Sequence, residues 1–471
     1  MNGAGGLARR GWLLATTAIV TLLGGGWLLS GARSAVDWSA ARAVVLESDD
    51  WGLCGFVPHA DSLDGLRRED LARSGFPPVY WGSTLEDSAA VADLCTVLSG
   101  CRGRDGLPAV FQPNYIVSSL SYEPPSREGD PWVLRDLPEL PAVYERPGLF
   151  AAVGRGIAAG VWYPELHGRF HYDPERRREA VGGSEVVRDA AARGILLFPG
   201  SERAWELGPW RPREQIAADL DSAMAVFTRL FGRAPGAVIA PDYVWSGRCE
   251  DLWSDRGLRV VQAKREQRHP ERHGGLGDRA LKVAGRALDR VRRQQMSYLE
   301  RNCRLETAQH EDPAAAGRRC IAEVQRAWRR GEPAIIETHR VNFAHVDPGV
   351  ARQGRESLEQ VLTRLAGAEP GPLFLTSVEV AQAGRRGTSW SRRGDRTVVR
   401  NLSHGRKPVW VPPPPGAPAS SPGRLILLAA GEVRVLDDGG RQDRTRLVCA
   451  GGRVLRGPVS AETPLTATID E

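Results

Sequence analysis

From Ala41 onward the chain repeats one pattern, a short apolar run followed by a longer amphipathic stretch, and this alternation narrows the possible folds more than any other feature. Strands that alternate with helices pair in parallel and are covered by those helices, so the pattern predicts an α/β architecture. The candidate strands are Val44 to Leu46, Ala109 to Gln112, Val161 to Glu165, Ile195 to Phe198, Ala237 to Ala240, Arg259 to Gln262, Ala334 to Glu337 and Leu373 to Thr376. Arg213 to Phe231 and Pro313 to Arg330 are helix candidates between them. Eight such strands suit an incomplete or distorted (β/α) barrel. The Pro-rich stretch from Pro113 to Pro147 is expected to be a long loop over this scaffold, where Trp132 and Tyr144 either stack on a ligand or pin the loop.

The first strand candidate ends in two carboxylates, Val44-Val45-Leu46-Glu47-Ser48-Asp49-Asp50-Trp51-Gly52. Side chains alternate along a strand, so Asp49 and Asp50 share a site only if the backbone turns there, which Gly52 permits. Parallel sheets and barrels keep their chemistry at that end of the strands. The plainer reading is that the two acids cap the element that follows. A second run, Val161-Trp162-Tyr163-Pro164-Glu165-Leu166-His167-Gly168-Arg169-Phe170-His171, ends in two of only nine histidines. On a straight strand these would stand roughly 13 Å apart, too far for one ion, so a metal site requires a turn at Gly168. Otherwise they are two histidines of a surface turn. One Asp and two His, with positions left open, form a recognised set for a hydrolytic metal.

These residues carry a resemblance. Ser48-Asp49-Asp50-Trp51-Gly52 resembles the first motif of the polysaccharide deacetylases, and His167-Gly168-Arg169-Phe170-His171 resembles their second. The resemblance implies that Asp49 is the general base and that Asp50, His167 and His171 hold a divalent metal, zinc foremost. Ile335-Ile336-Glu337-Thr338-His339-Arg340 is similar to the late motif whose histidine is the general acid, which assigns that role to His339. Two departures stand out. The family's Arg-x-Pro-Tyr segment has its nearest match in Ile239-Ala240-Pro241-Asp242-Tyr243, without the arginine. The later Asp that orients the catalytic histidine has no counterpart in Val260-Val261-Gln262-Ala263-Lys264. Arg169, Tyr243, Arg340 and Asn342 lie beside these motifs and are candidates for substrate contact. The family's fold is itself a distorted (β/α) barrel.

The ends of the chain lie outside the resemblance. Arg9 and Arg10 precede Gly11 to Ser30, an uncharged and strongly apolar run long enough to span a bilayer. Positive charge before it predicts that the remainder is exported, with residues 1–36 as a membrane anchor or signal segment. Residues 37–384 are assigned to the barrel. Gly384-Arg385-Arg386-Gly387 reads as a linker, and short β runs without helices predict a small β-sandwich over residues 385–471, which binds carbohydrate or braces the barrel. Seven cysteines suit an exported protein, with Cys95 and Cys101, or Cys303 and Cys320, as conceivable pairs. The length of 471 residues, 42% of them hydrophobic, allows a large core, and the net charge of +6 favours an anionic surface. No zinc-finger spacing or aromatic RNA-binding signature is present, so nucleic acid is not expected as a partner.

The sequence thus leads to hydrolysis of an N- or O-acetyl group on an extracytoplasmic polysaccharide. Two other readings stay open. One is a glycoside hydrolase pairing Asp49 or Asp50 with Glu165 or Glu337. The other is a glycan-binding protein whose site has lost its catalysis.

Overall fold

The computed structural model describes residues 35–437, apart from 55, 124–129, 265–295, 311 and 414–421, together with 444–448 and 454–456. The apolar run Gly11 to Ser30 lies outside these residues. Among the described residues no helix is long and apolar enough to cross a membrane.

The strands of the main sheet are β1 (Ala43–Trp51), β2 (Phe111–Tyr115), then after a hairpin of β3 (Ser118–Tyr122) and β4 (Trp132–Asp136), β5 (Glu165–Leu166), β6 (Ala237–Val238), β7 (Val260–Ala263), β8 (Ser297–Glu300), β9 (Cys303–Arg304), β10 (Ala334–His339) and β11 (Leu373–Phe374). All pair in parallel in the order β8-β7-β6-β5-β2-β1-β10-β9, with β11 joined to the start of β1. The two ends of this order are consecutive in the chain. Arg301 N donates to Ala263 O on one side and Asn302 N to Ile335 O on the other, so β8 and β9 are two halves of one segment that changes partner and draws the sheet into a ring. The result is the expected distorted (β/α) barrel.

Three details differ from the sequence expectation. Ile195 to Phe198 forms no strand, because this run satisfies its apolar side chains in a second core with Phe56, Ile116, Tyr172 and Val187 instead of in the sheet. The segment 297–304, polar and without alternation, does enter the barrel. The Pro-rich stretch is not a bare loop, since it contains the antiparallel β3–β4 hairpin.

β1 is buried along all nine residues, which its β-branched start and its two flanking strands explain. Val44 and Leu46 face the helices, packing with Leu94, Leu98 and Val361. Ala43 and Val45 face inward, where Ile335, Leu375 and Val380 close the lower end of the barrel. Glu47 and Asp49 continue this inward row toward the upper end. Helices are set by their caps: Asp87 accepts from Ala90 N ahead of Ser88–Gly100, and Asp312 and Asp347, each followed by Pro, start Pro313–Arg329 and Pro348–Ala366.

The helix Ser377–Arg386 lies across the end of the barrel where the strands begin, packing Val378 and Ala381 on Ala237 and Val260. Gly384 to Arg386 are its last turn and Gly387, at φ 78°, is its left-handed cap, so the chain passes directly into β structure with no linker between. β12 (Thr388–Arg393), β13 (Arg396–Asn401), β14 (Lys407–Val411), β15 (Arg424–Leu428), β16 (Glu432–Asp437), β17 (Arg444–Val448) and β18 (Val454–Arg456) form an antiparallel sheet, β12-β13-β16-β17-β18, and a separate β14–β15 pair. Val399 and Leu436 of the first pack against Val409, Val411, Ile426 and Leu428 of the second. Arg400, fully buried, ties this unit to the barrel through Asp105 and Glu379, and Arg393 adds a 2.7 Å bond to Glu379.

Candidate active site

Asp49 and Asp50 reach one site by a local break in β1. Asp50 takes φ 72°, a left-handed conformation that Asp tolerates better than most residues, and the pairing with β2 shifts between Ser48 and Trp51. The turn therefore falls at Asp50 itself, before Gly52. Gly52 is nevertheless required: at φ 74° a Cβ there would lie 2.5 Å from Ile116 O. The second motif turns in the same way, with Gly168 at φ 95° and His171 at φ 72°.

Three side chains meet at these turns. His167 Nε2 lies 3.4 Å and His171 Nε2 3.3 Å from Asp50 Oδ1, and all three residues are buried. Their candidate ligand atoms fall within 4.8 Å of one another. His167 Nδ1 faces Ile239 O at 3.2 Å, which leaves Nε2 directed at Asp50. Burial disfavours a charged His171, but its hydrogen bond to Asp50 prevails and lifts the imidazole to about 9. Asp50 is held well below the usual carboxylate range, the two histidines outweighing its burial. Two imidazole nitrogens and one carboxylate oxygen, drawn together in a dry pocket with fixed ring orientation, fit a divalent cation.

Asp49 stands beside this cluster. Arg301 Nη1 donates to its Oδ2 at 2.6 Å and Nη2 to its Oδ1 at 2.8 Å, while Asn114 Nδ2 donates to Oδ1 at 2.7 Å. Burial alone would raise its pKa, yet the Arg301 charge holds it far below normal, so Asp49 is ionised. Arg301 is fixed from behind by Glu47 at 2.7 Å, which also accepts from Ser377 Oγ at 2.5 Å, and Gln262 joins Asn114 to Arg301. Arg301 Nη1 also donates to Tyr243 OH at 2.7 Å, and Tyr243 donates to Glu337 at 2.9 Å. Arg301 thus stands next to the Pro241-Asp242-Tyr243 segment, which itself has no arginine.

His339 closes the other side. Its Nε2 is 3.8 Å from Asp49 Oδ2 and its Nδ1 is 2.5 Å from Glu306 Oε1. Burial works against its charge, but Glu306 with the nearby aspartates lifts it to about 10, so His339 is an imidazolium at neutral pH. Glu306 thereby fixes the orientation of the His339 ring. It is held in turn by Asn342 Nδ2 at 2.8 Å, whose Oδ1 accepts from Ala308 N.

Four sequence candidates for substrate contact have other places. Arg340 is fully buried beneath the first motif, donating to Leu53 O at 2.7 Å with Glu86 nearby, and Glu86 accepts from Gly52 N. Asn342 is buried and positions Glu306. Arg169 pairs with Asp219 at 2.9 Å under the second motif. Tyr243 is spent on Arg301 and Glu337. Tyr144, buried with its OH on Gly194 O, pins the chain, and Trp132 packs on Tyr122. The six described cysteines, Cys95, Cys101, Cys303 and Cys320 among them, are free.

Sequence reasoning missed Arg301, Glu306 and Glu206. Glu206 accepts from the backbone N–H of Arg169, Phe170 and His171 at 2.7, 3.1 and 2.7 Å and so shapes the second motif. No spacing pattern marks it. Arg301 and Glu306 stand in a charged hexapeptide, Arg301-Asn302-Cys303-Arg304-Leu305-Glu306, whose proximity to His339 only the ring reveals.

Fold and site together define an α/β barrel with a buried two-histidine, one-carboxylate cluster set between an ionised acid and a protonated histidine. No family model matches the chain, and no curated protein matches it. Solved structures similar to it include a protein from Mycobacterium smegmatis described as a polysaccharide deacetylase, with 14% identity, 73% of this chain and 90% of that one covered, and a TM-score of 0.36. A second, from Pseudomonas aeruginosa and also described as a polysaccharide deacetylase, gives 9% identity, 73% and 91% coverage and 0.37. The carbohydrate deacetylase Agd3 gives 12% identity, 82% and 63% coverage and 0.38.

Proposed function

We propose that this protein is a metal-dependent hydrolase that removes N- or O-acetyl groups from a polysaccharide outside the cytoplasm. The observation that carries the reading is the meeting of Asp50, His167 and His171 with Asp49 and His339 at the upper end of the barrel, each of the last two fixed by its own partner. When bound by Asp50, His167 and His171, a divalent cation supplies a Lewis acid and makes water more acidic. Asp49, ionised and oriented by Arg301 and Asn114, is placed to take a proton at Oδ2. His339, protonated at Nε2 and aimed by Glu306, is placed to give a proton to the leaving nitrogen or oxygen. Burial of the cluster excludes competing water ligands and strengthens these interactions.

The two alternatives lose support for physical reasons. A glycosidase needs a carboxylic acid that keeps its proton. Burial raises the Glu165 pKa, but the side chain is fully buried and is bonded to the backbone N–H of Gly236 and Ala237, out of reach of a substrate. Glu337 is held below its usual range, against burial, by His339, Arg301 and Lys264. A degenerate site was suggested by a missing arginine and a missing acid, and the bonds of Arg301 to Asp49 and of Glu306 to His339 support an intact site in which these two residues serve instead. The Arg9-Arg10 pair and the apolar run to Ser30 support export and membrane attachment, with the barrel through the helix ending at Arg386 as the catalytic unit and the β structure from Thr388 onward as a bracing unit.

The test is acetate release by the zinc-loaded full chain against a panel of acetylated glycans, before and after chelation. Activity on a member of the panel that vanishes with chelation and returns with zinc is expected. Release that persists at full rate in chelated protein would refute the metal-dependent reading.

A further inference from the structure

The β14–β15 pair is apolar on both faces. Its inner residues Val409, Val411, Ile426 and Leu428 are buried in the sandwich, yet the outer row also carries Trp410 opposite Leu425 and Pro408 opposite Leu427. Trp410, Leu425 and Leu427 are 58%, 68% and 53% exposed, so the polar outer row expected of a half-buried antiparallel pair is absent. Contiguous exposed apolar surface of this kind marks an interaction site.

Charge and position select the occupant. Arg406 and Lys407 at one end of the pair and Arg424 at the other are exposed, and residues 406–411 and 422–428 contain no acid. Lys407 and Arg424 belong by alternation to the inner row and reach solvent only at the two ends of the pair. A Trp and leucines with cations at both ends match the boundary between anionic headgroups and acyl chains, whereas a sugar platform would need more rings and polar partners. The chain enters the fold beside the segment that leads into β14. Ala35 N donates to Gly384 O at 3.0 Å, and Leu402, just ahead of β14, packs with Val36 and Trp38. Between Ser30, the end of the apolar run, and Ala35 the chain reaches no more than about 18 Å. A membrane that holds the run therefore lies within reach of this corner.

We propose that the outer face of β14–β15 rests on an anionic lipid membrane, an inference that depends on the membrane attachment proposed above. The sandwich sits at the end of the barrel where the strands begin. Contact there turns Asp49, Asp50 and His339 away from the lipid, toward a polymer lying outside it.

The test uses the full chain in vesicles of phosphatidylcholine and phosphatidylglycerol that carry a phospholipid with a photoactivated carbene precursor. Mass spectrometry is expected to find label in the apolar run and in peptides containing 407–411 and 424–428. The hairpin label should fall several-fold in phosphatidylcholine alone and disappear in the double variant Leu425→Ser, Leu427→Ser, while the label in the run stays. A labelled run with an unlabelled hairpin overturns this proposal alone, and so does cross-linking of two copies through the hairpin in place of lipid label. No label in either place overturns the membrane attachment as well.

Discussion

Asp49 and Asp50 are adjacent, yet one answers to Arg301 and the other to two histidines, so the same substitution is expected to have different effects at each. Asp49→Asn keeps the shape and removes the basic carboxylate: metal should stay bound while acetate release falls by roughly 10² to 10⁴. Asp50→Asn and His171→Ala should instead lower metal content, measured by elemental analysis of the purified protein. His339→Ala should keep the metal and lose mainly the step that expels the leaving group, so an activated acetyl ester suffers less than an acetamide. Its partner gives a pH test. His339 is raised to about 10, so activity that needs its proton is present below that pH and lost as pH rises through it. Glu306→Gln removes the largest cause of this rise while Asp49 and Asp50 remain, and should move this alkaline limb to lower pH in a profile of kcat/KM. Without metal, His171 carries a proton up to about pH 9, so zinc binding at pH 7 to 8 should release about one proton, visible as buffer-dependent heat in calorimetry.

The elements serve as holders that bring these side chains to one depth. β1 and β10 pair Asp49 with His339 in register, which sets acid beside base before any side chain is chosen. The turns that follow depend on glycine in two places. Gly52→Ala would press a Cβ on backbone, Ile116 O, and impose a left-handed φ on alanine, so a loss of stability above about 1 kcal/mol is expected from denaturant unfolding. Gly168→Ala would meet Glu206 Oε2 at 2.4 Å, and because Glu206 gathers the N–H groups of residues 169–171, metal affinity should fall along with stability. Gly154, inside the helix Leu149–Ala158 with nothing near its Cβ position, is the control: Gly154→Ala should be neutral or stabilising by up to about 1 kcal/mol.

For the whole molecule, stability is tied to two charge clusters. The first is the junction of barrel and sandwich, where Glu379 is buried between Arg393 and Arg400 and, despite burial, is held at about 2 against an ordinary 4.5. A depressed folded pKa stabilises above 4.5 and loses that contribution as pH falls toward 2, an effect on the order of 3 kcal/mol. Unfolding by acid should therefore steepen in this window, and Glu379→Gln should flatten it. Arg400→Met would leave Glu379 and Asp105 short of their partner and should cost roughly 3 to 5 kcal/mol. The second cluster is Asp50, His167 and His171, the proposed metal site: zinc at a hundredfold over its Kd should add about 2.7 kcal/mol, read as a higher Tm that chelation reverses.

The sequence by itself determined the alternation of strands and helices, the strand ends that carry Asp49, Asp50 and His339, and the two motif turns, because apolar runs that stop at polar residues are local signals. It also indicated a β unit after the last helix. The tertiary structure alone decided what completes the site. Arg301 acts on Asp49 across 252 positions of sequence and Glu306 on His339 across 33, and both arrive on a polar segment with no periodicity, placed only when the ring closes. The same closure decided that Ile195 to Phe198 serves a second core and that Arg340, beside a motif in sequence, lies buried beneath it. Local pattern fixes the direction of a side chain along its own element, whereas which charge it meets depends on the elements that fold against it.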